Sequence, residues 1–118
     1  MIETQRDAIG MALKALGYSA NSTDSREIRA ATELLIAQKP SVKTYTYLVL
    51  DENSALVNGD VQMAMMFNGD AMMLQEQHED IRYVVPREGG NIWSDYLVVL
   101  RGAQHKELAY TFIDFLNE

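Results

Sequence analysis

The alternation of short apolar runs with amphipathic segments constrains the fold of this chain more than any other sequence feature. Residues 61–67, VQMAMMF, are almost entirely apolar, as expected for a strand that is buried on both faces. Three further runs, at 42–50, 81–85 and 93–100, are rich in β-branched and aromatic residues and also predict strands. Because helix-like segments separate most of these runs, the pattern predicts an α/β fold: one three-layer domain, residues 1–118, with a mostly parallel mixed sheet and helices on both faces.

Two amphipathic helices are predicted before the first of these strands. Residues 4–16 carry apolar side chains at a helical period, and Gly17 is a suitable C-cap. The second helix is predicted to begin at Asp24, an N-cap with a capping-box partner at Glu27, and to end just before Pro40. Shorter helices are predicted at 51–58, 71–77 and 104–116.

The composition disfavours several classes of partner and site. A net charge of −7 argues against nucleic acid and anionic membranes and favours cationic ligands, although an acidic soluble surface explains the same charge. The chain has no cysteine and only two histidines, neither with metal-ligand spacing, so we predict no metal and no cofactor. No phosphate-binding glycine motif or GxSxG elbow indicates an enzyme. No apolar run is long enough to predict membrane insertion.

The stretch PREGGNIWSD, residues 86–95, contains a pair of side chains suited to binding an amine. Trp93 and Asp95 lie two residues apart, so on a strand they share one face. An ammonium gains about 0.5–2 kcal/mol over an aromatic ring, and a neighbouring carboxylate balances its charge. The same spacing is equally compatible with a tryptophan in the core and an aspartate that caps a turn.

Four runs of the sequence resemble the periplasmic spermidine/putrescine-binding proteins of bacterial ABC importers. They are ALKALGYSANSTDSREIRAA, ENSALVNGDVQMAMMFNGDA, YVVPREGGNIWSDYL and HKELAYTFIDFLNE. The third run contains the pattern VPxEGGxxWxD, and an aromatic-Asn-Gly triplet at 67–69 precedes it. The resemblance implies that the chain is the excised second lobe of a type II periplasmic binding protein, in which two lobes clamp a polyamine.

The resemblance also implies which residues bind the polyamine. Trp93 matches a tryptophan that stacks on the methylene groups, and Asp95 matches a carboxylate that pairs with an amine. Phe67 falls where the family carries an aromatic residue, usually tryptophan. These three residues are therefore expected to line the ligand.

A second group of expected ligand-binding residues lies near the start of the chain. Asp7 matches an acidic residue at the first helix that anchors another amine. Three residues earlier the family often has a second acid, whereas this chain has Thr4 there and Glu3 beside it. Asp7 and Glu3 are the expected anchors, and the departure at Thr4 bears on the choice between putrescine and spermidine.

Further expectations concern the partners of the protein. For the full-length protein, the resemblance implies a periplasmic or other extracytoplasmic location, a polyamine ligand and an ABC permease. For this fragment we expect no signal peptide and no first lobe, and the missing lobe favours self-association. Two other functions stay open: a solute-binding lobe for another organic cation or an amino-acid derivative, and a small α/β enzyme.

Overall fold

Helices joined by long irregular segments make up the structure, a computed structural model that describes residues 1–117. The α-helices of this part of the chain are α1 (Gln5–Ala15), α2 (Ser25–Gln38), α3 (Asn68–Gln77) and α4 (Lys106–Leu116), and a 3₁₀ helix (Lys39–Ser41) follows α2. None of these helices has the length and hydropathy needed to cross a membrane.

The predicted α/β fold is wrong, because residues 1–117 form no strand and no sheet. The apolar runs at 42–50, 61–67, 81–85 and 93–100 are irregular rather than paired. Within the described chain, the backbone hydrogen bonds between segments distant in sequence link Met1 to Thr44 and Thr46. A β-rich composition shows that a run suits a pleated, half-buried surface, but a strand also needs a partner for its N–H and C=O groups. The expectation of a three-layer lobe of a type II binding protein is wrong for the same reason, because residues 1–117 contain no sheet to form its middle layer.

The unpaired runs leave the molecule open. Its radius of gyration is 18.4 Å, whereas a compact domain of this length has about 13–14 Å. Its accessible surface is 9570 Å², against about 6,500 Å² for a folded monomer of this mass. Large apolar side chains of the irregular runs are therefore exposed, as with Ile92 at 97% and Val98 at 77%.

The α1–α2 hairpin contains the main core. Leu13 of α1 is 1% exposed and packs with Ala12 against Ala31 of α2, and Ile9 and Leu35 border this cluster. The helical period places these apolar residues on one stripe of each helix, so pairing the two stripes removes both from water. The two helices were predicted correctly, and their packing against each other is an additional finding of the structure.

The capping residues of the hairpin are also those that the sequence predicts. After α1, Gly17 has φ +81° and donates to the Lys14 carbonyl, while Tyr18 donates to the Leu13 carbonyl, which completes a Schellman motif. At the start of α2, Asp24 accepts a hydrogen bond of 2.7 Å from the backbone N–H of Arg26. The predicted capping box does not form, because the Glu27 carboxylate accepts from the Ser22 hydroxyl instead.

The later helices differ from prediction mainly at their first residues. Helix α3 begins at Asn68 rather than at 71, so the Asn-Gly pair forms its first turn, and its Ala71 and Leu74 are buried. Helix α4 begins at Lys106 rather than at 104. Residues 51–58 form consecutive turns instead of a helix.

The segment 86–91 folds back over α1. Gly89 donates to the Pro86 carbonyl at 2.8 Å, which closes a turn, and φ +81° at Gly89 explains why glycine is present there. A Cβ atom built on Gly89 would lie 3.4 Å from the Lys14 ammonium, and one built on Gly10 would lie 3.5 Å from the Asn91 amide. These close approaches place the start of the following segment, which carries Trp93, beside α1.

Candidate functional site

Three aromatic side chains from separate segments form a continuous row. The ring centroids of Phe67 and Trp93 are 5.1 Å apart, and the two planes meet at 64° in an edge-to-face contact. The centroids of Tyr47 and Phe67 are 5.8 Å apart, with an interplanar angle of 38°. Both separations are in the range of favourable aromatic pairs. We call Tyr47, Phe67 and Trp93 the aromatic row.

The start of the chain positions Tyr47. The Met1 ammonium donates to the Thr44 carbonyl, and the Thr46 N–H donates to the Met1 carbonyl, each at 3.1 Å. Further along the same two segments, the Thr4 and Tyr47 hydroxyls are 2.9 Å apart, which is a hydrogen-bond distance. These bonds hold residues 44–47 alongside residues 1–4, so Tyr47 reaches the row from the N-terminal end of α1.

The other two rings are fixed by local structure. Phe67 occupies the N-cap position of α3 in an extended conformation, and its carbonyl accepts from the Ala71 N–H. Trp93 follows the turn at 86–89 that packs on α1. Trp93 stays 52% exposed and Tyr47 46% exposed, so both rings offer surface to a ligand.

No hydrogen bond or ion pair joins the expected carboxylates to the row in residues 1–117. Asp7 lies in the first turn of α1, three residues after Thr4, the residue whose hydroxyl bonds to Tyr47. Glu3 and Asp95 are exposed, and no hydrogen bond or ion pair of theirs is present in residues 1–117. Of the expected ligand-binding residues, the structure thus brings Phe67 and Trp93 into direct contact.

Nearby cations are engaged elsewhere. Arg6 donates to the Asn21 side chain at 3.3 Å, and Lys43 pairs with Asp60 at 2.6 Å. Asp7, Glu3 and Asp95 have no ion-pair partner in residues 1–117. Exposed aromatic rings suit an aliphatic ammonium, because the ring faces attract the cation and also cover methylene groups.

The arrangement of the row was only partly predictable. Phe67 and Trp93 were expected on the resemblance, whereas the contact of Tyr47 with Phe67 and the bond of the Thr4 hydroxyl to Tyr47 were not expected. Residues 42–50 were predicted to form a strand, which would place Tyr45 and Tyr47 on one face, and this pattern does not distinguish the two tyrosines. Only the tertiary pairing of residues 1–4 with 44–47 selects Tyr47.

Two open depressions elsewhere are less suited to a cation. One of about 320 Å³ lies between α1 and the start of α2 and has Arg6 on its rim. The other, of about 250 Å³, lies between residues 97–100 and α4 and is lined by apolar side chains. Neither is lined by a carboxylate. In the described part of the chain, no group of three or more candidate metal ligands comes together.

Comparison with known proteins gives a consistent set of relatives. The model of the family described as bacterial extracellular solute-binding protein matches residues 3–118. The chain is 36% identical over 118 residues to a spermidine/putrescine-binding periplasmic protein of Salmonella typhimurium, and equally to one of Escherichia coli. It is 30% identical over 121 residues to a putrescine/agmatine-binding protein of Pseudomonas aeruginosa.

These alignments cover nearly all of this chain but a minor part of each relative. They include 98% of this chain, and they include 33% of the Salmonella and Escherichia proteins and 32% of the Pseudomonas protein. The chain thus spans about a third of the length of the curated relatives that it matches. No solved structure matches it.

Proposed function

Because the chain belongs to the bacterial extracellular solute-binding protein family, we propose that it forms one wall of a polyamine-binding site. The observation that carries this proposal is the contact between Phe67 and Trp93, which are the aromatic residues expected to stack on a polyamine. The names of the relatives support the same ligand class, since they bind spermidine, putrescine or agmatine.

In this proposal each side chain has a separate role. Trp93 and Phe67 cover the methylene groups and attract the ammonium groups, and each aromatic contact contributes about 0.5–2 kcal/mol. Asp95, Asp7 and Glu3 balance the ligand charges. A charge pair at about 4 Å is worth about 4 kcal/mol at an effective dielectric of 20 before desolvation is subtracted. The exposure of Asp95 and Glu3 lowers this value considerably.

We further propose that the chain acts within a longer solute-binding protein of an ABC importer. Such a protein would be extracytoplasmic, and the chain would supply its second lobe. The remaining two thirds of the relatives' length would supply the opposite wall and the hinge that closes the site on its ligand. The permease would then recognise the closed form. No enzymatic step is needed for this role.

Calorimetric titration of the chain with spermidine tests the proposal. One wall offers about half the contacts of a closed cleft, so we expect a millimolar rather than a micromolar dissociation constant, about −4 instead of −8 kcal/mol. Trp93→Ala should weaken binding about tenfold or more, because stacking and cation–π attraction are lost together. Asp95→Asn should weaken it up to about fivefold and reduce its dependence on salt.

A matched control separates this site from general attraction to an acidic protein. Tyr83 is an aromatic residue with a similar exposure that lies outside the row, so Tyr83→Ala should leave the dissociation constant unchanged. Equal weakening by Tyr83→Ala and Trp93→Ala would contradict the proposed site. Putrescine, agmatine and a neutral diol of the same length as putrescine complete the series of ligands. If the diol binds as well as putrescine, the ligand is not recognised as a cation.

A further inference from the structure

Tyr47 extends the aromatic row beyond the two rings assigned to the proposed site. Its ring lies 5.8 Å from that of Phe67, and it is 46% exposed. It therefore adds a third surface of the kind that covers methylene groups and attracts an ammonium. Because Phe67 pairs with both other rings, a ligand that extends from Trp93 across Phe67 would reach Tyr47.

The hydroxyl of Tyr47 does not point freely into solvent. It lies 2.9 Å from the hydroxyl of Thr4, which is the N-cap residue of α1. An N-cap threonine usually accepts a hydrogen bond from the first turn of its helix, but the Thr4 side chain makes no such bond. The Thr4 hydroxyl is directed to Tyr47 instead, and Asp7 follows three residues later in the first turn of α1.

The two hydroxyls form a neutral group that both donates and accepts. Their mutual hydrogen bond uses one O–H, so the other O–H remains a donor and lone pairs remain on both oxygens. A carboxylate at the same place would only accept hydrogen bonds and would require a cation. A hydroxyl pair serves an ammonium, and it serves equally a neutral amide end such as an acetylated amine.

We propose that the Thr4–Tyr47 hydroxyl pair receives one end of the bound polyamine and allows that end to be either charged or acetylated. This inference rests on the proposed function, since it assigns a specificity to one end of the same site. The Tyr47 ring covers the last methylene groups, the hydroxyl pair bonds to the terminal nitrogen or to the acetyl oxygen, and Asp7 balances a charge when one is present.

The experiment uses Trp93, the single tryptophan of the chain, as a fluorescent reporter of binding. Emission is titrated with spermidine and with spermidine acetylated on both primary amines, so that either orientation presents an acetylated end. Thr4→Asp should tighten spermidine binding about fivefold. It should weaken binding of the diacetylated ligand about fivefold, because the acetyl oxygen then meets a carboxylate instead of a donor.

Further variants separate the ring from the hydroxyls. Tyr47→Ala should weaken both ligands about tenfold through loss of the ring. Tyr47→Phe and Thr4→Val should each weaken the diacetylated ligand about threefold, and the double variant should be no weaker than either single one, because both remove the same hydrogen-bonded unit. Tyr45→Ala is the matched control, because Tyr45 is 42% exposed but is not part of the row. Its loss should change the dissociation constant of neither spermidine nor the diacetylated ligand.

The outcomes distinguish this inference from the proposed function. If Phe67→Ala weakens spermidine binding while Tyr47→Ala and Thr4→Asp do not alter it, the polyamine site stands and the role of the hydroxyl pair is wrong. If Thr4→Asp shifts both ligands equally, position 4 acts through charge alone, and selection by the hydroxyl pair is refuted. If neither ligand changes the emission or heat of the unmodified chain, the proposed function fails, and this inference fails with it.

Discussion

At the scale of single residues, the site depends on two aromatic rings, Phe67 and Trp93, that contact each other and still keep surface for a ligand. The edge-to-face contact of Phe67 with Trp93 is worth about 0.5–1.5 kcal/mol beyond the area it buries, so it orders both rings before a ligand arrives. Trp93 is exposed and Phe67 is half-buried, so both rings keep surface that a ligand can reach. Preordering reduces the entropy that a weak ligand must overcome.

Phe67 provides a direct test at this scale. Replacing it by tryptophan, the residue that the family resemblance implies there, should tighten spermidine binding about two- to fivefold, since indole attracts cations more strongly than a phenyl ring. Calorimetric titration measures the change. The control is Phe112→Trp on α4, an exposed phenylalanine outside the row, which should have no effect. Unchanged binding in Phe67→Trp would argue that position 67 does not contact the ligand.

At the scale of secondary structure, helix ends are set by local chemistry. The Asp24 carboxylate caps α2 and also pairs with the Arg26 guanidinium at 3.2 Å. The hydrogen bonds from the Arg26 side chain, followed by that from its backbone N–H, hold the pKa of Asp24 below its ordinary value of 3.8. The ionised carboxylate therefore stabilises the folded hairpin more than the protonated carboxyl does.

This cap predicts a pH dependence of hairpin stability. Because the pKa of Asp24 is lower in the folded chain than in the unfolded chain, its contribution is complete above pH 3.8 and is lost as the pH falls through the folded value. Asp24→Asn keeps an acceptor at the cap but does not titrate. Urea unfolding, followed by far-UV circular dichroism, measures the free energy of unfolding at each pH. This free energy should fall less in acid for Asp24→Asn than for the unmodified chain. Parallel acid profiles for the two proteins would show that the cap does not depend on charge.

At the scale of the whole molecule, the open shape determines behaviour in solution. Apolar side chains of residues 92–100 and of α4 are exposed, and the wholly apolar depression between these elements lies on the same surface. Exposed apolar area of this extent is unusual for a monomer. The net charge of −7 opposes association, and salt screens that repulsion.

We accordingly expect the chain to self-associate. Sedimentation velocity should give an average mass above 13.3 kDa that rises with protein concentration and with salt. Val98→Lys should lower that mass, because it places a charge in the exposed apolar run. Gln77→Lys adds the same charge to an already polar surface and serves as the control. A monomer at every concentration and salt level would contradict this expectation.

How well each feature was predicted depends on how far apart in sequence the interacting residues lie. Helices α1 and α2, the C-cap at Gly17 and the N-cap at Asp24 depend on residues a few positions apart, so periodicity and capping rules were sufficient to predict them. The sheet was wrong because pairing depends on partners distant in sequence, which residues such as 61–67 do not specify by composition. The aromatic row is intermediate: the resemblance identified Phe67 and Trp93, but Tyr47 depends on the long-range contact with Thr4.

The most direct test of the central claim is the detection of nuclear Overhauser effects between spermidine methylene protons and the aromatic protons of the chain. The proposed site predicts effects to the indole of Trp93 and to the ring of Phe67, and their loss on addition of excess putrescine. Effects confined to the apolar depression beside α4, or no effect at spermidine concentrations that saturate the calorimetric signal, would contradict the claim that the aromatic row binds the polyamine.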